Sequence, residues 1–178
     1  MKISRFVDRT GTVFRFLIAF LVYMIGGVPT LVYPLPQGGT ISSGAGKIDS
    51  SSSSLTVTQT TNKIIINWES FSIGNNESVI FLQPDSSSSA LNNVLGNSRT
   101  VVEGNLAANG QIVLSNPNGI FISPTAKINV ASLIASTLKI SEQDFLDGLY
   151  KFSQDPNKPL ASILNAVSYT HLTLPTKA

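Results

Sequence analysis

The stretch from Gln111 to Ile128, QIVLSNPNGIFISPTAKI, limits what this chain can fold into more than any other segment. Two β-branched apolar runs flank Asn-Pro-Asn-Gly, in which Pro117 has a fixed φ and no backbone donor and Gly119 can adopt a positive φ. The asparagine side chains on either side of the proline can bond their own backbone. The segment therefore predicts a strand, a tight turn and a second strand, and it excludes a helix.

Composition excludes several classes of function. The chain has 178 residues, 42% hydrophobic and 12% charged, which suits one domain with a sizeable core. The formal net charge is +2, and four basic residues (Lys2, Arg5, Arg9 and Arg15) precede the first apolar run, so no nucleic-acid partner is expected. Zero cysteines exclude disulfides, thiolate catalysis and cysteine-bound zinc.

Residues 1–33 predict a secretory signal peptide. A basic segment precedes an apolar run from Phe16 to Ile25, which the sequence GGVP then breaks before it could span a membrane. No A-x-A site is present, so cleavage is expected at a small residue between about 27 and 33. An uncleaved signal anchor is the alternative.

From Pro34 onward, short apolar runs alternate with clusters of Gly, Ser, Asn and Pro that predict turns. Six runs are strand candidates: Leu55 to Gln59, Lys63 to Asn67, Ser78 to Gln83, Gln111 to Ser115, Gly119 to Ser123 and Lys127 to Ala131. A sandwich or barrel and a parallel β-helix both use such strands. Small corner residues and inward-outward alternation suit coils of roughly 20 residues, which favours the β-helix without excluding the sandwich.

One segment, ISEQDFLDGLYKF, predicts a short amphipathic helix. Ser141 precedes Asp144 with capping-box spacing, and Phe145, Leu149 and Phe152 fall on one face. We interpret it as a flank that covers an exposed edge of the core.

The last twelve residues, 167–178 (VSYTHLTLPTKA), resemble a translated sequencing adapter, and we expect the natural protein to continue past Ala166. His171, the only histidine, lies in this tail, so histidine catalysis and histidine metal sites have no candidate. The carboxylates are scattered beside turns, and no spacing marks a catalytic pair. No metal, no cofactor and no enzymatic activity is expected.

The order of motifs carries the functional argument. PLPQGG is followed by INWESFSIGNNESVIFLQP, ALNNVLGN, VEGNLAANGQIVLSNPNGIFISPTAKINVASLIAST and ISEQDF. This series resembles the N-terminal secretion domain of two-partner secretion exoproteins of the filamentous-haemagglutinin type. The resemblance covers about Pro34 to Phe152 and is most specific from Asn109 to Thr137.

The resemblance implies an all-β fold over residues 34–166: a right-handed parallel β-helix with small capping or extra-helical β elements and a short C-terminal helix. It implies a partner, an outer-membrane barrel transporter with periplasmic domains, and no small-molecule cofactor. The domain would begin a large adhesin or haemagglutinin, pass through the periplasm of a Gram-negative bacterium and nucleate β-helix folding outside the cell. A host-cell or surface receptor would bind the missing downstream region.

The residues that the resemblance assigns to secretion and transporter recognition are Asn92, Asn93, Val94, Asn116, Pro117, Asn118, Gly119 and Ile120. The family usually has Asn-Arg-Val where this chain has Asn-Asn-Val, which predicts weaker or altered recognition. By their chemistry alone, the NPNG residues are expected to fix a corner between coils.

Two alternatives stay open at this point: a β-helix polysaccharide-active enzyme that uses two of the carboxylates, and a small secreted binding module. Trp68 and Phe71 are expected to pack in the core or at its edge, with sugar stacking as the alternative for Trp68.

Overall fold

The computed structural model describes residues 35–154, 156–157 and 159–167, and this part of the chain forms thirteen strands and one short helix. The strands are β1 (Thr40–Ser43), β2 (Gly46–Ser50), β3 (Ser54–Gln59), β4 (Lys63–Trp68), β5 (Ser78–Leu82), β6 (Ser89–Val94), β7 (Thr100–Val102), β8 (Asn105–Ser115), β9 (Ile120–Ile122), β10 (Lys127–Ser136), β11 (Lys139–Ile140), β12 (Phe152–Ser153) and β13 (Ile163–Asn165), and the helix is α1 (Glu142–Leu146). The predicted signal peptide, 1–33, lies outside the described residues, as does the predicted tail apart from Val167.

The strands stack in parallel, one coil on the next, as in a solenoid. On one face β4 pairs with β6, β6 with β8 and β8 with β10. On a second face β3 pairs with β5, and β5 with the first part of β8. A third face joins β7, β9 and β13. Paired residues lie about one coil apart in sequence: 26 positions for Asn67 and Asn93, and 21 for Gln111 and Ser132.

Two antiparallel strands cap the N-terminal end of the stack. β1 pairs with β4 and β2 with β3, so the first coil does not offer an open strand edge there. The edges at this end of the sheet are then the short strands β1 and β2, and short edge strands limit pairing with other chains.

The core fills the space between the faces. Ile112 and Leu114 of β8 and Ile120 and Ile122 of β9 point into the main core, as their alternation predicts, while Phe121 is half-buried on the outside. Residues that face inward on stacked parallel strands lie over one another, so each coil continues the apolar column of the one before.

A second, smaller core lies outside the solenoid. Ile65, Leu91, Val113 and Ile134 lie side by side on β4, β6, β8 and β10 and face outward; we call them the outer column. β11, α1 and β12 cover it, with Phe145 of the helix fully buried against it.

The helix begins as predicted but is shorter than its pattern indicated. Ser141 accepts a hydrogen bond from the Asp144 N–H at 3.0 Å and caps the first turn. The helix ends at Leu146, and Gly148 follows with a φ of +74°. Its segment covers the outer face of a sheet, and not an edge, because the outer column is the apolar surface within its reach.

The predicted all-β parallel β-helix with small extra-helical elements and one short helix is confirmed. All six strand candidates are strands. The sequence patterns missed β1, β2, β6, β7, β11, β12 and β13. Strands β7, β11, β12 and β13 have two or three residues, too few to show a pattern, and β2 and β6 contain Gly, Asp or Asn, which are depleted in strands.

Candidate functional site: stacked asparagine turns

The tetrapeptide Asn116 to Gly119 forms the turn between β8 and β9. The Gly119 N–H donates to the Asn116 carbonyl at 3.1 Å, and the Asn116 side-chain oxygen accepts from the Asn118 N–H at 2.9 Å. Gly119 has a φ of +107°, a conformation that side chains rarely adopt. The turn chemistry that the sequence predicts is therefore present.

Asn116 joins three consecutive coils. Its Nδ2 donates to the Ser98 carbonyl at 3.1 Å and to Thr100 Oγ1 at 2.9 Å in the preceding coil. Its backbone N–H donates to the Ser136 carbonyl at 2.9 Å in the following coil. Asn116 and Thr100 are both 0% exposed, so loss of this amide would leave the buried Thr100 hydroxyl without a partner that solvent could replace.

Asn118 extends the same network towards the surface. Its side chain is half-buried, and its Nδ2 donates to the Gly96 carbonyl at 2.8 Å and to the Asn116 side-chain oxygen at 3.0 Å. Residues 95–99 directly follow the Asn-Asn-Val triplet. We call the two stacked turns, 95–99 and 116–119, the motif corner.

The remaining NPNGI residues shape the turn from within. Pro117 and Gly119 are buried, and Ile120 enters the main core. The Ile120 N–H donates to the Ser162 carbonyl at 3.1 Å, and a Cβ added to Gly119 would lie 3.2 Å from that carbonyl oxygen. The next segment of chain therefore passes too close for a larger residue to fit without movement.

Asn92 and Val94 also lie inside the molecule. Asn92 is 0% exposed, and its side-chain oxygen accepts from Trp68 Nε1 at 2.9 Å. Trp68 is 1% exposed and meets Phe71 edge to face at 5.7 Å. Both aromatics therefore pack in the core as expected, and Trp68 has no exposed ring face on which a sugar could stack.

Asn93 lies on the outer side of β6 and is half-buried. Its Nδ2 donates to the Asn67 side-chain oxygen at 3.3 Å in the preceding coil. On its other side it pairs with Ser115, the residue before Asn116. The two predicted motifs thus come together on adjacent coils, and Asn93 and Asn118 are the two of the eight motif residues that retain partial access to solvent.

The described architecture agrees with a known family. The family model described as TPS secretion domain matches residues 33–170. The chain belongs to the TPS secretion domain family. The predicted resemblance to the secretion domain of two-partner secretion exoproteins is confirmed.

Similarity to individual proteins also supports membership of this family. It is 43% identical over 103 residues to a heme/hemopexin-binding protein of Haemophilus influenzae strain Rd, and 38% identical over 100 residues to a second H. influenzae protein of that name. The matches cover 58% and 56% of this chain but 11% of each relative. The crystal structure of the HMW1 secretion domain from H. influenzae has a TM-score of 0.70 and 36% identity, covering 73% of this chain and 35% of that one.

The secretion domain has a second polar turn that sequence reasoning missed as a site. Gln83 Nε2 donates to Gln59 Oε1 at 3.1 Å, and Gln83 Oε1 accepts from the Gly110 N–H at 2.9 Å. Asn109 holds the Gln83 backbone with two further bonds of 2.7 and 2.8 Å. The Asn109-Gly110 pair directly before the predicted strand Gln111 to Ser115 was the available signal, because Asn-Gly favours a bend.

At the position where the resemblance predicts arginine, this chain has Asn93, whose side-chain amide donates to Asn67. A different cation lies at the motif corner: the Arg99 guanidinium is 5.5 Å from the centre of the Phe121 ring. Such stacking holds an exposed charge in one place. Nothing in the sequence pattern marked Arg99.

The Asp85 carboxylate accepts hydrogen bonds from residues of its own turn. Hydrogen bonds from the Ser87 hydroxyl and N–H, and then from Ser88, lower the pKa of Asp85 on an exposed loop. Within the described residues no group of three or more His, Cys, Asp or Glu side chains could hold a metal ion. Across the same part of the chain, no helix is long and apolar enough to span a membrane.

Proposed function

We propose that this domain is the export signal of a large exoprotein and that a cognate outer-membrane barrel transporter recognises it through the motif corner and the adjoining Asn93. The observation that carries the proposal is that some motif residues are buried and others keep access to solvent. Six of the eight motif residues are buried: Asn92, Val94, Asn116, Pro117, Gly119 and Ile120. Asn93 and Asn118 lie on adjacent coils, and both keep partial access to solvent. The buried group shapes the corner, and the two accessible amides are the groups that a transporter would contact.

The free edge of β10 supports a second contact with the transporter. β10 pairs with β8 along one edge, and no described strand pairs along the other. Its unpaired N–H and C=O groups can accept an added strand, so periplasmic domains of the transporter would bind it by β-augmentation. Zero cysteines also suit export, since no disulfide can lock the chain in the oxidising periplasm.

The route follows from these roles. Residues 1–33 direct the chain to the periplasm of a Gram-negative bacterium, and the transporter delivers it to the cell surface or medium. There the coils of the domain give later parts of the exoprotein a template on which to continue β-helix folding, because each coil needs a stacked neighbour to bury its core.

The cargo follows the domain in sequence, and we propose an adhesin or haemagglutinin that binds a host-cell or surface receptor. Both named relatives are heme/hemopexin-binding proteins, but this chain spans only 11% of their length. Binding of heme or hemopexin is therefore an alternative property of the cargo, to be tested on the full-length protein.

The test compares Asn118→Ala with Asn109→Ala, the same chemical change at the second polar turn. The readouts are the exported fraction in cells that carry the cognate transporter, and the Trp68 fluorescence of the purified chain. We expect Asn118→Ala to fold normally and to lose export, while Asn109→Ala is exported. Normal export of Asn118→Ala would refute recognition through this amide.

A further inference from the structure

We propose that residues 139–153, which comprise β11, α1 and β12, form a latch that closes after the coils have stacked and then slows unfolding of the finished domain. The proposal concerns folding of the chain itself and does not rest on recognition by a transporter.

The surface beneath the latch exists only in the stacked state. The outer column takes one apolar residue from each of four strands: Ile65, Leu91, Val113 and Ile134. The first three are 0% exposed because Ile140, Phe145 and Phe152 pack against the column. A single coil offers one such side chain, which is too little apolar area to hold the latch.

Polar contacts fasten the latch at widely spaced points. Ser42 Oγ in the N-terminal cap donates to Glu142 Oε1 at 2.9 Å, across 100 positions of sequence. The Tyr150 hydroxyl donates to Gln111 Oε1 at 2.5 Å, across 39 positions. These groups border the outer column at opposite ends of the latch, so both require the coils to be in place.

Lys63 makes the most specific of these contacts. Its Nζ donates to the carbonyls of Phe145 at 3.0 Å and Leu146 at 2.6 Å, and it lies 5.8 Å from the centre of the Phe145 ring. The last carbonyls of a helix lack partners within the helix and carry partial negative charge. A lysine of the first coil thus binds the end of the helix at Phe145, 82 positions further along the chain, where the Gly148 N–H also donates to the Phe145 carbonyl at 3.1 Å.

The order in which the coils and the latch fold follows from the long sequence separations between the latch and its partners. The latch comes after every coil strand of its docking face and touches the first and the last of them. Contacts between such distant parts of a chain close long loops, so they form once local structure has reduced the cost of closure. Interactions absent from the transition state act on the unfolding rate and leave the folding rate unchanged.

The test measures folding and unfolding rates of the full 178-residue chain by fluorescence of Trp68, its single tryptophan, which lies in the main core. Phe145→Ala should speed unfolding about 100-fold and change the folding rate by less than about twofold. Phe81→Ala is the matched control, since Phe81 is an equally buried phenylalanine of the main core on β5. It should slow folding, because the coils must stack before the barrier is crossed.

A milder variant, Phe145→Leu, keeps the test decisive if Phe145→Ala does not fold. It should show the same pattern with a smaller rise in the unfolding rate. The proposal is wrong if either variant slows folding as much as it speeds unfolding, because the latch would then belong to the folding nucleus. It is equally wrong if Phe145→Ala leaves both rates within about twofold of the parent, because the segment would then be a passive cover.

Discussion

Replacement of Asn116 by alanine should destabilise the whole domain, because one buried amide joins neighbouring coils. Four side-chain hydrogen bonds disappear: two donated to Ser98 and Thr100, and two accepted from Asn118. Asn116 and Thr100 are both 0% exposed, so water cannot replace the bond between them without opening the turn.

The size of the effect follows from these contacts. A net contribution of about 0.5–1.5 kcal/mol per bond gives about 2–6 kcal/mol, and we expect about 3–4 kcal/mol in the free energy of unfolding. The free energy of unfolding of such domains is about 5–15 kcal/mol, so the variant should still fold but be much less stable than the parent.

Urea unfolding followed by Trp68 fluorescence measures the loss. With a slope of about 2 kcal/mol per molar urea, the midpoint should fall by about 1.5–2 M. Thr100→Val removes one partner of the same network, and a double-mutant cycle with Asn116→Ala should give a coupling of about 1 kcal/mol. A loss below about 1 kcal/mol for Asn116→Ala, with no coupling to Thr100, would show that the turn holds without this amide.

Three further substitutions test other parts of the domain. Gly119→Ala should cost about 1–3 kcal/mol, since its φ is +107° and the Ser162 carbonyl is close, and thermal unfolding measures this loss. Asn92→Ala should cost about 1–3 kcal/mol in the same assay and alter the emission of Trp68, whose buried Nε1 loses its acceptor. Asp85→Asn should weaken the domain at neutral pH only. The lowered pKa of Asp85 contributes stability above its ordinary value of 3.8, and that contribution is lost as the pH falls through the lower folded-state pKa, so the acid unfolding curves of variant and parent should converge.

Part of the motif corner could be predicted from the sequence, because turn chemistry is local. Pro117 and Gly119 restrict their own backbone, so the corner between β8 and β9 follows from the tetrapeptide alone. The partners of Asn116 could not be predicted in this way. Ser98 and Thr100 precede Asn116 by about one coil. No pattern in the sequence predicts which residues of successive coils lie over one another.

Residues that belong to one sequence motif also differ in their exposure to solvent. Asn92, Asn93 and Val94 are consecutive, yet only Asn93 keeps access to solvent, because alternate residues of a strand face opposite sides and Asn92 points towards Trp68. An asparagine in the core is unexpected from composition. It is stable there because the indole N–H satisfies its oxygen.

The sequence by itself determined the family, the β-rich character of the chain and the position of its sharpest turn, because these depend on residue types and their local order. The tertiary structure alone decided which turns stack, which motif amides face solvent and what the helix covers. Those features depend on register between strands that are a coil or more apart in the chain. The outer column shows the reason: Ile65, Leu91, Val113 and Ile134 form a surface only when four coils align.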